Sequence, residues 1–152
     1  MITIKTILCP IDFSEPSKKA FRYACAFAGS MGAKLCLVAV IEPRPLVADM
    51  MLTYIPIEED LRRDANEEIK PLVKEALNEG IEVQTDVLIG HPVDVILKHV
   101  NDLGIDLLIM GSHGKTGLRR ILMGSVTEGV IRKSGIPVLI VRETEGELIS
   151  EK

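Results

Sequence analysis

The run Ile2-Thr-Ile-Lys-Thr-Ile-Leu-Cys9, followed by Ser14-Glu-Pro-Ser17 and then by Lys34-Leu-Cys-Leu-Val-Ala-Val-Ile41, sets the architecture of the chain. Its first part alternates and then turns continuously apolar, which predicts a strand over 2–9 ending at Pro10. Ser14 is a helix cap by type, and Pro16 is tolerated in a first turn. Ala20, Phe21, Ala24, Phe27, Ala28 and Met31 recur at helical spacing and form one apolar face, which Gly32 stops. Lys34–Ile41 is almost wholly apolar, as a strand is when both faces of a parallel sheet are covered.

The same rhythm continues downstream. Glu58-Glu59-Asp60 favours a helix start through the dipole, and Leu61, Ala65, Ile69, Leu72, Val73, Ala76 and Leu77 carry an apolar face towards Gly80. Pro71 inside that helix is expected to bend it. A strand over 82–89, a helix over 92–101, a strand over 106–110, a glycine-rich loop over 111–123, a helix over 124–133 and a last strand over 137–141 follow. This alternation predicts an α/β fold with a single open parallel five-stranded sheet and helices on both faces. No repeat or linker interrupts it, so 152 residues make one domain, over 1–142, with a polar C-terminal tail over 143–152 that is expected to fray. A chain of this length buries roughly 70% of its unfolded surface and needs no disulfide or metal staple. Glu42–Pro56 departs from the rhythm, with Pro43, Pro45 and Pro56 around Met50 and Met51, and reads as a long irregular connection. For the two methionines, local packing is favoured over a partner groove.

Composition narrows the function. The net charge of −4, with both signs mixed along the chain, lacks the basic excess of a protein that neutralises phosphate backbones, so nucleic acid is not an expected partner. The longest apolar run, Leu35–Ile41, is far short of the ~20 residues that span a bilayer, so no membrane role is expected. The N-terminus runs into Pro10 and Asp12 without a secretory layout, and a cytoplasmic location is expected. Cys9, Cys25 and Cys36 lack C-x-x-C spacing and sit in apolar stretches, which favours buried reduced thiols over redox or metal work. His91, His99 and His113 do not cluster with them in sequence, so no zinc site is visible.

Open parallel sheets take ligands at the carboxyl ends of their strands, where the winding reverses. Two segments compete for that place: Pro10-Ile-Asp12-Phe-Ser14 after the first strand, and Gly111-Ser-His-Gly114-Lys-Thr-Gly117 after the fourth. If those strands are neighbours, the two loops face each other. Glycines permit positive φ and close backbone approach, and successive N–H groups in such a turn form an anion-binding concavity. Gly124-Ser125-Val126-Thr127 opens the next helix and adds its free N–H groups and dipole to the same field. The loop is not a Walker A motif, because only two residues separate Gly111 from Gly114-Lys115-Thr116. Nor is it the dinucleotide fingerprint, which would follow the first strand.

The spacing Gly111-Ser-His-Gly114, then Lys115 to Met123, then Gly124-Ser125 resembles the universal stress protein family in its nucleotide-binding branch. So do Asp12 within Ile-Leu-Cys-Pro-Ile-Asp-Phe-Ser and the closing Ser134-Gly-Ile-Pro137-Val-Leu-Ile-Val141. The likeness runs from Thr3 to Val141. It implies a Rossmann-like, adenine nucleotide alpha hydrolase-like fold of strand order 3-2-1-4-5. It also implies ATP, with Mg or Mn, as ligand. Pro10, Asp12 and Val40 would meet the nucleoside, and Met110, Gly111, Gly114, Lys115, Gly124, Ser125, Val126 and Thr127 would surround ribose and phosphates. A homodimer joined through the last strand, 137–141, is implied as well.

Each residue also has a plainer role open to it. Asp12 could cap the first helix, but Ser14 already fills that place. Lys115, Arg119 and Arg120 could be a solvated basic face. His113 invites a catalytic role that lacks a carboxylate to orient it, and Ser125 and Thr127 could cap their helix as easily as accept a phosphoryl group. The expected function is therefore an ATP-binding stress-response or signalling module with an unidentified protein partner. A slow ATPase or phosphotransferase at the same site, and a structural module with a vestigial site, are the alternatives. No catalytic residue and no metal ligand is assigned.

Overall fold

The computed structural model describes residues 1–42, 58–113, 123–143 and 149. The connection after Glu42, with Met50 and Met51, falls at 43–57 and lies outside them. The elements follow as β1 (Thr6–Ile11), α1 (Glu15–Met31), β2 (Lys34–Ile41), α2 (Glu58–Asn78), β3 (Val83–Ile89), α3 (Pro92–Leu103), β4 (Leu107–Gly111), α4 (Ser125–Lys133) and β5 (Val138–Val141). The five strands form one sheet of order β3-β2-β1-β4-β5, with every pairing parallel.

β1 departs from expectation at both ends. Met1 and Ile2 are exposed, and the ladder begins at Thr6, where Asp106 just ahead of β4 accepts the Lys5 and Thr6 N–H groups at 2.7 and 3.0 Å. Pro10 does not end the strand; it lies inside it, opposite Val38 of β2. A proline is tolerated in this central strand because the β1–β4 register pairs only Ile7 and Leu8 and has run out before Pro10.

Strand alternation divides the core between two faces. Ile7, Cys9 and Ile11 of β1, Leu35 and Leu37 of β2 and Ile109 of β4 face α1 and α2. Leu8, Cys36, Val38, Leu108 and Met110 face α3 and α4. Phe21 of α1 is fully buried on the first face, where a side chain of its size contributes about 2–3 kcal/mol. Ser14 caps α1, its side chain accepting from the Ser17 N–H, Pro16 sits in the first turn, and Gly32 closes the helix in the left-handed region. Met31, expected on the apolar face, is instead exposed. α2 runs unbroken through Pro71 and buries only Ala65, Ile69 and Ala76; Leu61 and Leu77 at its ends stay exposed. On the opposite face α3 and α4 approach closely at Gly129, where a Cβ would lie 2.8 Å from a methyl of Val93. Among the described residues no helix is long and apolar enough to cross a membrane.

Candidate functional site

The sheet reverses its winding at β1, which has β2 on one side and β4 on the other. A cavity of about 520 Å³ opens at the carboxyl ends of these three strands, between the first turns of α3 and α4. Pro10, Asp12, Val40, Met110, Gly111, Gly124, Ser125, Val126 and Thr127 all line it. Gly114 and Lys115 lie outside the described residues, as do Arg119 and Arg120.

The first wall is the turn after β1. Asp12 Oδ1 accepts the Ser14 N–H at 3.0 Å and contacts the Ser14 hydroxyl, while Ser17 Oγ donates to the Ser14 carbonyl at 3.0 Å. Ser14 is thus the helix cap, and Asp12 braces it. Phe13 between them has φ 65°, a strained conformation for a residue with a side chain, and its ring packs against the core on the α1 side.

The second wall joins β4 to α4. Gly124 is the N-cap of α4 in extended conformation, and as a glycine it supplies no side-chain cap. Its own N–H donates to the Ser112 carbonyl at 2.7 Å, and its carbonyl receives the Glu128 N–H at 2.9 Å. The N–H groups of Ser125, Val126 and Thr127 precede that first helical bond and belong to the orphan donors of a helix start. The Thr127 hydroxyl is not among the groups available to a ligand: buried, it donates to the Gly111 carbonyl at 2.9 Å and pins α4 to the end of β4.

The two described glycines of this wall serve close packing, not the positive φ expected of them. Gly111 ends a strand, and a Cβ there would lie 3.0 Å from the backbone of Pro16. Gly124 has φ −75°, and a Cβ there would lie 3.0 Å from His113 Cα. Each lets one chain segment lie against another at the rim of the cavity.

His113 also lines the cavity. Expected to lack an orienting carboxylate, it has one: Glu143 Oε2 lies 3.6 Å from Nε2, and Ser112 Oγ lies 3.0 Å from Nδ1. Glu143 stands just past β5, in the segment assigned to the tail, so nothing in its sequence position points to His113. Ile11, Ser17, Glu42, Pro92, Ile96, Met123 and Glu128 line it as well, beyond the site residues expected from sequence. The described lining carries three carboxylates, Asp12, Glu42 and Glu128, and no lysine or arginine. An anion held here by described groups would therefore rest on backbone N–H groups, hydroxyls and the His113 ring. Among the described residues no cluster of three His, Cys, Asp or Glu could hold a metal ion.

A sequence model of the universal stress protein family matches residues 3–142. The chain belongs to that family. The universal stress protein MJ0577 of Methanocaldococcus jannaschii is 36% identical over 93% of this chain and 96% of its own length. Its solved structure superposes with a TM-score of 0.78 at 37% identity, covering 95% of this chain and all of the other (100%). Two more distant universal stress proteins share the fold. One, solved in complex with cAMP, has a TM-score of 0.68 at 24% identity and covers 92% of this chain and 98% of its own. The other, from Archaeoglobus fulgidus in complex with dAMP, has a TM-score of 0.66 at 22% identity and covers 93% and 99%.

Proposed function

We propose that this universal stress protein binds ATP in the cavity at the β1–β4 switch point and acts in the cytoplasm as a nucleotide-dependent stress-response or signalling module. One observation carries the proposal: the first turn of α4, opened by a glycine cap, closes a cavity of about 520 Å³ with its helix-start N–H groups, and the rest of the described lining is largely apolar. Val40, Ile96 and Met110 supply a surface for a base, and the Asp12 carboxylate, a pure acceptor, suits ribose hydroxyls. The phosphates lie on Ser125, Val126 and Thr127, where each N–H bonded to a charged oxygen contributes roughly 1.5–3 kcal/mol. A Mg or Mn ion accompanies the triphosphate, which offsets the three carboxylates of the lining. The two nucleotide complexes of this fold are in keeping with a ligand of this class. A universal stress protein of this design works by occupancy, and its dimer forms through the last strand.

Thermal denaturation with ATP and Mg²⁺, NAD or FMN checks the assignment. Ligand at about 1,000 times Kd stabilises by ~4 kcal/mol, so ATP should raise the Tm clearly more than NAD or FMN does. Equal shifts with all three, or none with ATP, would overturn it.

A further inference from the structure

One connection of His113 leads away from the cavity. The ring's Nε2 lies 3.6 Å from Glu143 Oε2, within ion-pair range, and its Nδ1 lies 3.0 Å from the Ser112 hydroxyl. Glu143 is itself anchored. Lys19 of α1, only 6% exposed, donates from Nζ to the Glu143 carbonyl at 3.2 Å. Just before it, the Val141 carbonyl accepts the Ser112 N–H at 3.0 Å, and further on Ile149 packs against the α1 side of the core. The imidazole therefore stands between a carboxylate whose backbone is anchored and the cavity it lines. Its Cα lies against Gly124, the residue that opens α4, so the ring is beside the turn where a ligand's phosphates would rest.

We propose that His113 positions the phosphates of the bound nucleotide and that Glu143 holds His113 in place, so that the segment leaving β5 is part of the nucleotide site. The inference rests on the nucleotide reading above. When both ring nitrogens carry a proton, Nε2–H can face Glu143 while Nδ1–H is given to a phosphate oxygen in place of Ser112. Among the described residues, the charged groups about the ring are Glu143, with Lys19 behind its carbonyl, and the cavity carboxylates Asp12, Glu42 and Glu128.

The sign of one substitution separates this arrangement from bulk electrostatics. Removing a negative charge near a polyanion tightens binding by Coulomb's law alone. Glu143→Gln should instead loosen it, because His113 loses its partner.

Calorimetric titration of the whole protein with adenosine, AMP and ATP tests this in the wild type, Glu143→Gln, His113→Gln and the double variant. Each single variant should weaken ATP about tenfold and adenosine less than about twofold, and the double variant should be no weaker than either single one. On addition of ATP the His113 ring signals in the NMR spectrum should move in the wild type and stay in place in Glu143→Gln. Tighter or unchanged ATP binding in Glu143→Gln, or parallel losses for adenosine and ATP, would overturn the proposal while leaving the nucleotide site standing. A wild type that binds neither adenosine nor ATP would remove both.

Discussion

Burial keeps the three thiols of this universal stress protein protonated. Desolvation pushes Cys25 up to about 12, aided by the nearby Glu79 and Glu75, and raises Cys9 and Cys36 as well. All three are free and buried, as their apolar sequence context predicts. Above about pH 9 the unfolded chain ionises its thiols while the folded one does not, so the unfolded state binds fewer protons and stability falls. Between pH 9 and the folded value of about 12, Cys25 should remove about 1.4 kcal/mol of stability per pH unit, with Cys9 acting in the same direction. Urea denaturation at pH 8 and pH 10 measures the loss, and Cys25→Ala should make the decline shallower. A native protein that reacts rapidly with a thiol reagent at pH 8 contradicts the burial argument. At this scale the sequence was only partly legible. Asp12, Val40 and Ser125 carry types and positions that point to the cavity, whereas Glu143 meets His113 only after the chain has folded back from β5.

Among the elements, α4 matters most to the site, and its placement depends on short polar ties. Thr127 bonds the Gly111 carbonyl, and Gly124 bonds the Ser112 carbonyl, so two successive carbonyls at the end of β4 hold the first turn of the helix. The helical period of 124–133 was readable from sequence, but not the direction of the Thr127 hydroxyl, which a period leaves undetermined. The same limit applies to β1: its apolar run was legible, while its start at Thr6 depends on Asp106, a hundred residues away. Thr127→Val keeps the shape of the side chain and deletes the donor, leaving a buried carbonyl unpaired. It should cost about 1–3 kcal/mol in urea denaturation, seen as a lower midpoint at unchanged slope. Because the first turn is then loosely held, ATP affinity should fall with it. A stable Thr127→Val protein with full affinity would mean that packing alone positions α4.

Over the whole molecule the two edges of the sheet differ, and the difference predicts how copies associate. The Leu35 N–H donates to the Glu82 carbonyl, so alternation turns the Val83, Thr85 and Val87 carbonyls towards the outer edge of β3. There Arg62 of α2 donates from Nη1 to the Val87 carbonyl at 2.9 Å and places a charge on the edge, a device that discourages pairing with another chain. At the other edge, Pro137 and Val141 give their carbonyls to Leu108 and Ser112 of the β4 side. Alternation then turns the N–H and C=O groups of Val138 and Ile140 outward, with Leu139 between them. Two such edges related by a two-fold axis through Leu139 can pair antiparallel, each Val138 opposite its partner's Ile140, with both residues exchanging their bonds. Sedimentation should show a dimer at micromolar concentration. Ile140→Pro removes an outward donor and leaves the β4 ladder intact, so it should give a folded monomer. Leu139→Pro, by contrast, removes an inward N–H and should loosen β5 itself. A wild type that sediments as monomer throughout that range, or an Ile140→Pro protein that stays dimeric, places the contact elsewhere.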